Sequence, residues 1–349
     1  MIRVGVIGAG AIAHNHCQGI NSHKEAKVVA VADLSKERAE EIKEAYELEK
    51  TYRKWEQLVD DDKIDAVAIA LPNSLHAPVA LAALKAGKHV ILDKPFALNY
   101  AEAASVVAAA KKAKRVFTLG MNQRFSHGHQ VIKALAERGE FGDIFHAKAS
   151  WLRRAGSPKF GTWFCRKDLA GGGCMLDIGV HALDLCLYVT DNFEPVSVSG
   201  KVNTKFGNRG IGEGGWGKSD RGKMIFDVDD SAFAFIRFKN DMVIELNVSW
   251  ILHQEVGDKN GVQVYGTEAG GTTNPARVFR FAKGEGEYEV VEPQGVKIRY
   301  PHCNRHVNWI DAILGKDELM TSTEQALVVQ KIIDAVYKSS ETGREVRIR

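Results

Sequence analysis

The sequence predicts an α/β N-terminal domain on a doubly wound parallel sheet, followed by an α+β C-terminal domain with a large, mostly antiparallel open sheet. Three observations predict it. Apolar strand-like runs alternate with helical segments as far as Asn122. Beyond Asn122, strand-like runs follow one another with few helices between them. A length of 349 residues exceeds the size at which a single core usually keeps growing. The expected domains are residues 1–122 and 123–349.

The first domain reads as follows. Ile2 to Ile7 is a β-branched run ending in glycine, and a helix follows from about Ile12. Lys27 to Ala32 is the second strand, and Lys36 to Tyr46 a charged, solvated helix. Asp65 to Leu71 is an apolar strand closed by Pro72. Leu75 to Ala86 is helical with Gly87 as its stop, His89 to Leu92 is a strand, Tyr100 to Ala113 an alanine-rich helix, and Val116 to Leu119 a strand. In the second domain, Ser126 to Glu137 is helical. Strands are expected at Phe145 to Trp151, Val196 to Val202, Ser231 to Phe238, Met242 to Trp250 and Gly261 to Tyr265. Further strands fall near Val278 and Tyr288, and Thr323 to Lys338 is a closing helix. The glycine-rich stretch from Gly207 to Gly222 reads as a flexible loop, either a lid or a contact between subunits.

Charge and cysteine content narrow the function classes. Lys and Arg exceed Asp and Glu by 47 to 44, and no long basic run occurs, which gives no support for a nucleic-acid surface. No apolar stretch is expected to span a bilayer, and the N-terminus lacks a signal-peptide layout, so the expected location is the cytoplasm. Cys17, Cys165, Cys174, Cys186 and Cys303 are scattered without paired metal spacing and read as reduced core thiols. No metal is expected.

The loop Gly8-Ala9-Gly10-Ala11-Ile12-Ala13 falls where the first strand meets the first helix, the position required of a dinucleotide-binding Rossmann fingerprint. Gly8 permits the tight turn, Gly10 lets backbone approach the pyrophosphate, and Ala13 allows close helix–strand packing. Phosphate then sits on unpaired helix N–H groups. Asp33, followed by Leu34, ends the second strand. Its carboxylate can accept from an adenosine ribose and repels a 2′-phosphate, which favours NAD over NADP. Asp33 or Ser35 could equally cap the next helix.

Ligands of open parallel sheets lie outside the carboxyl ends of the strands. Two loops fit that rule: Leu71-Pro72-Asn73-Ser74-Leu75-His76 and Asp93-Lys94-Pro95. A lysine there would stand beside a cationic nicotinamide and could stabilise a developing alkoxide. In the second domain, Cys174 to Leu187 is a helix apolar nearly all round and therefore buried. Its ionisable exceptions, Asp177, His181 and Asp184, align at i, i+4 and i+7. Buried ionisable groups are costly unless paired or used. A histidine base suits alcohol oxidation, with Asp177 meeting it directly or holding substrate beside it. Arg124, Arg153, Trp163 and Arg166 are candidate substrate contacts, since arginines clamp carboxylate or phosphate and aromatic faces suit sugar C–H surfaces.

These motifs together resemble the glucose–fructose oxidoreductase and inositol 2-dehydrogenase family, Gfo/Idh/MocA, over essentially the whole chain. The resemblance rests on the glycine loop, Asp33, Asn73 with His76, Asp93-Lys94-Pro95, Asn122 with Arg124, and Asp177-x-x-x-His181. It implies a catalytic set of Lys94, Asp177 and His181, with a cis Lys94-Pro95 bond. It also implies cofactor contacts at Leu71, Asn73, His76, Asp93 and Asn122. The family usually carries glutamate before the lysine, so the shorter Asp93 is expected to reach the nicotinamide ribose at longer range or through water. The implied activity is hydride transfer between NAD and a secondary alcohol of a sugar, cyclitol or sugar derivative, in a homodimer or homotetramer. Which of Lys94 and His181 is the principal base stays open at this level. The competing readings are a glycosidase using a transient NAD redox cycle and a non-catalytic NAD sensor.

Overall fold

The computed structural model describes all residues except 216–218, 256, 283–285, 302–303 and 349. Thus Cys303 and part of the 207–222 loop lie outside the described residues. The chain begins with β1 (Ile2–Ile7), α1 (Ala11–Asn21), β2 (Ala26–Ala32), α2 (Lys36–Tyr46), β3 (Lys50–Tyr52) and α3 (Trp55–Val59). It continues with β4 (Ala66–Ile69), α4 (His76–Lys85), β5 (His89–Leu92), α5 (Tyr100–Ala113) and β6 (Phe117–Leu119). These strands form one six-stranded parallel sheet in the order β3-β2-β1-β4-β5-β6. The order reverses between β1 and β4, which defines the switch point where such sheets bind ligands. Apart from the edge strand β3, the strands are largely buried on both faces; Val4, Val6, Val28, Val31, Ala66, Ala68 and Ile91 share one cluster with Ala13, Cys17 and Ile20 of α1. Burial on both faces is the reason the strands read as continuous apolar runs rather than alternating ones.

Then follow α6 (His127–Glu137), β7 (Ile144–Arg153), α7 (Lys167–Ala170), a π-helical turn (Met175–Gly179) and α8 (Val180–Thr190). Strands β8 (Pro195–Asn203), β9 (Ser231–Phe238), β10 (Val243–Ser249), β11 (Asp258–Gly266), β12 (Gly270–Thr273), β13 (Ala276–Phe281) and β14 (Tyr288–Val291) come next. The chain closes with α9 (Arg305–Ile313), α10 (Thr323–Thr342) and β15 (Val346–Arg347). The second sheet has nine strands, ordered β14-β13-β12-β11-β7-β10-β9-β8-β15. Only the β7–β10 pair is parallel among its described pairings. Helix α8 lies against β7 and β11, with α6 beside it.

The chain divides into two compact units, one of Met1–Asn122 with His302–Leu327, the other of Gln123–Pro301 with Val328–Arg349. The opening stretch of the first unit ends at Asn122. The segment around α9, expected in the second domain, instead packs with the first unit, because Trp309 and Ile310 join the core cluster of β1, β2 and α1. The run Lys167–Thr190 is long and apolar enough to cross a membrane, which the sequence reading excluded, but 89% of its most apolar window is buried inside the protein. It is a core helix. The four described cysteines are free and buried, and burial pushes the Cys17 thiol up to about 12 and Cys165 up to about 11.

Candidate active site

The glycine loop sits at the switch point. Gly8 has φ +102°, and a Cβ there would lie 2.2 Å from the carbonyl oxygen of Ala70, so only glycine lets β1 pass so close to the end of β4. Gly10 precedes α1 as its N-cap with no side-chain capping bond, and a Cβ at Gly10 would meet no atom within 4 Å. The helix N-terminus therefore opens onto space bordered by backbone, which is the cradle a pyrophosphate needs. Ala13 is fully buried against the sheet, as the packing role requires. Asp33 accepts Ala9 N–H at 2.8 Å and Ser35 N–H at 2.7 Å. Ser35, not Asp33, caps α2, accepting Arg38 N–H. Two acceptor sites of a half-buried carboxylate are thus used locally, and a carboxylate has about four. Leu34 (75% exposed) and Ile12 (42% exposed) flank this loop as exposed apolar surface, with Ala11 exposed beside them. Backbone cradle, carboxylate and apolar flank together fit a dinucleotide. Gly10→Val is expected to abolish NAD binding while leaving the melting temperature within a few degrees of the parent. NADH fluorescence titration and thermal denaturation check the two halves separately.

The loops after β4 and β5 are tied together by His76. Its Nδ1 stands 2.7 Å from the Pro95 carbonyl oxygen and its Nε2 2.9 Å from that of Leu71. Burial holds its pKa below the ordinary histidine range, against the pull of both carbonyls. His76 is 1% exposed, so the expected cofactor contact is corrected: the ring joins two binding loops instead. Leu71 and Pro72 are half-buried, Asn73 is buried, and Asn122 is exposed. The Lys94-Pro95 bond is cis, and Lys94 is half-buried at the carboxyl end of β5.

Asp93 also departs from expectation. Its Oδ1 accepts Arg305 Nη1–H at 2.8 Å, and its Oδ2 lies 3.2 Å from His16 Nε2. Burial alone would raise its pKa, but Arg305 and His16 more than reverse this and hold it well below the usual carboxylate range. Arg305 further donates to Gly120 O and Asn15 Oδ1. His16 Nδ1 lies 2.9 Å from His306 Nε2. The shorter carboxylate therefore takes part in a buried network with α1 and α9. Burial first, and His16 and Arg305 next, depress His306 well below the ordinary range. His76 and His306 thus stay neutral when folded and take up protons when unfolded. Their contribution is present above about pH 6.5 and lost as pH falls below it, at up to about 1.4 kcal/mol per pH unit for each. Urea unfolding at pH 7.5 and pH 5.5 is expected to show that loss, and His306→Gln to reduce it.

In the second unit, Asp177 lies in the π-turn and His181 one turn later in α8. Asp177 is half-buried and accepts Trp250 Nε1–H at 2.8 Å. His181 is 8% exposed. Its ring lies 5.8 Å from that of Trp151. The two rings line a small cavity with Gln123, His129, Ser150 and Asn260; the buried Trp151 indole N–H has no protein acceptor. An aromatic wall, an imidazole and a spare donor suit a hydroxylated ligand. Asp184, third member of the predicted stripe, is separated from these two by its partner: Arg124 donates to it at 2.9 Å from Nε and 2.5 Å from Nη2. Both side chains are fully buried, and Arg124 also lies over the Tyr188 and Phe193 rings. Arg124, expected to bind substrate, is instead fully buried in a bidentate pair with Asp184.

The other candidates have local partners. Arg153 pairs with Asp258 and crosses Trp151 at 5.3 Å, which places it next to the His181 cavity wall. Arg166 pairs with Asp168 at the start of α7, away from α8 in sequence. Trp163 stacks on Phe164. Sequence reasoning missed Trp250, Trp151, Arg305 and His16. The first two sit at or beside strand ends, where an aromatic reads as ordinary core.

The cradle, acidic strand end and buried histidine helix define an oxidoreductase with an NAD-binding Rossmann unit. Comparison with known proteins carries this further. The model described as "Oxidoreductase family, NAD-binding Rossmann fold" matches residues 2–121, and that of the GFO/IDH/MocA C-terminal domain matches residues 129–271. The chain belongs to the Gfo/Idh/MocA oxidoreductase family and is NAD-dependent. It is 29% identical over 350 residues to the D-glucoside 3-dehydrogenase of Escherichia coli (strain K12), covering 99% of this chain and 97% of that protein. An NAD-binding protein from Listeria innocua, of known crystal structure, is 25% identical with a TM-score of 0.81, covering 99% and 96% of the two chains. A levoglucosan dehydrogenase solved with NADH and levoglucosan shares the fold at a TM-score of 0.84 and 24% identity, covering 99% of each chain.

Proposed function

We propose that this enzyme transfers hydride reversibly between NAD and a secondary alcohol of a sugar, cyclitol or sugar derivative. The observation that carries the proposal is the buried His181 sharing a cavity with the Trp151 ring, on a rigid helix four residues after Asp177. Bound NAD supplies the acceptor for the hydride leaving the carbinol carbon. His181 takes the hydroxyl proton as the C–O bond becomes a carbonyl, and Asp177 fixes the orientation of that hydroxyl. Lys94, held at the end of β5 by the Asp93 and Pro95 contacts around it, offsets the charge growing on oxygen. Gly8, Gly10, Ala11, Ile12, Asp33, Leu34 and the Leu71–Asn73 loop hold the dinucleotide. The full-length similarity to a glucoside 3-dehydrogenase supports a sugar as substrate class.

We also propose a homodimer or homotetramer in the cytoplasm. Phe233 and Phe235 stand half-exposed on the same face of the second sheet as Lys201, Glu245 and Asn247, a shallow surface that a second copy could cover.

The test incubates the enzyme and NAD with D-glucose, methyl D-glucoside and myo-inositol and follows NADH absorbance. Net NADH from at least one of these is expected. Release of methanol from the glucoside without net NADH would establish the redox-cycling glycosidase instead, and NAD binding without either product would establish a sensor.

A further inference from the structure

We propose that Trp250 is a positioning residue for Asp177, and so for the reaction; the inference rests on the placing of Asp177 in the site. Trp250 immediately follows β10 and is fully buried. Its Nε1–H donates to Asp177 Oδ2 at 2.8 Å. An indole N–H donates only, so it favours the ionised carboxylate and fixes one oxygen in a single direction.

The surrounding backbone holds both ends of this bond to one dipeptide, Asp229-Asp230. Trp250 N–H donates to the Asp230 carbonyl oxygen at 2.9 Å. Asp229 caps the segment that carries Asp177: its Oδ1 accepts Gly173 N–H at 2.7 Å and Tyr337 O–H at 2.8 Å, and its Oδ2 accepts Met175 N–H at 2.9 Å. The Asp229 carbonyl oxygen also accepts Cys174 N–H at 2.9 Å. A Cβ on Gly173 would stand 1.9 Å from that carbonyl oxygen, so the glycine is what lets the cap close. The π-turn then begins one residue later and runs through Met175–Gly179. A Cβ on Gly179 would lie 2.9 Å from Met175 Sδ and 3.2 Å from a Val248 methyl. Turn and strand therefore meet with no room for slip, and the wider π-turn presents Asp177 to the indole. π-turns of this kind concentrate at functional sites. Packing alone would be served by any large ring; the indole N–H adds a hydrogen bond aimed at Oδ2.

The test compares Trp250→Phe, Asp177→Asn and the double variant, using whichever of D-glucose, methyl D-glucoside or myo-inositol gives NADH. In Trp250→Phe, kcat is expected to fall about tenfold with KM little changed, as for loss of one hydrogen bond to a charged group. In the Asp177→Asn background the same substitution is expected to cost little more, because the two residues act as one unit. A second readout needs neither turnover nor a folded Trp250 variant: the ¹⁵N-labelled indole resonance of Trp250 should shift upfield in Asp177→Asn. Equal losses in both backgrounds, an unmoved resonance, or unimpaired Trp250→Phe beside impaired Asp177→Asn would overturn the inference alone. Full turnover by Asp177→Asn would overturn the placing of Asp177, and the inference with it.

Discussion

His181→Ala is expected to lower kcat by about 10²–10⁴-fold, the usual contribution of a positioned general base, while NAD binds as tightly as in the parent. The separation follows from the division of the chain. The dinucleotide cradle at Gly8, Gly10 and Asp33 belongs to the first unit, and His181 belongs to the second. Alanine removes an imidazole from a helix already secured by Leu183, Leu185, Cys186 and Leu187, all 3% exposed or less, so the fold has little reason to yield. Steady-state kinetics with an NADH titration decide the matter. Lost NAD affinity with unchanged turnover per bound NAD would refute the assignment of the base.

Arg124→Ala is expected to destabilise the protein by about 3–5 kcal/mol, the range found when one partner of a buried pair is removed. Asp184, 1% exposed in its side chain, would keep a charge with its bidentate partner gone, and the guanidinium lying over the Tyr188 and Phe193 rings would leave a cavity. Replacing both members by Met and Leu is expected to recover much of the loss, because it removes the stranded charge as well. Urea unfolding measures both variants. A normal unfolding midpoint with a greatly raised KM would return Arg124 to the substrate site.

The two effects differ in how well the sequence reveals them. His181 and Asp177 stand out because polar residues in an otherwise apolar helix violate the local pattern. The repeat of strands and helices is legible for a related reason: buried parallel strands give unbroken apolar runs, and α2, β5 and α5 have the bounds that the sequence predicts. Short elements escape. β3 has three residues, α3 five and β12 four, too few to display a period. Pairings across long separations escape as well. Arg124 meets Asp184 across 60 residues, Trp250 meets Asp177 across 73, and Arg305 meets Asp93 across 212. Nothing in the local composition announces them. For that reason an arginine beside a candidate loop reads as a ligand contact when it is half of a buried pair. By the same route, the aspartate of Asp93-Lys94-Pro95 reads as a cofactor contact with no sign of its bonds to Arg305 and His16.

The central claim is hydride transfer from a sugar carbinol to NAD, and isotope transfer tests it most directly. The enzyme is incubated with NAD and D-glucose, methyl D-glucoside or myo-inositol, each deuterated at its ring carbons, and the NADH formed is analysed by mass spectrometry. One deuterium on the nicotinamide ring of each NADH, with an equal yield of ketone, is the predicted result. Bound NAD that acquires no deuterium from any of the three, or ketone formed without labelled NADH, would contradict it.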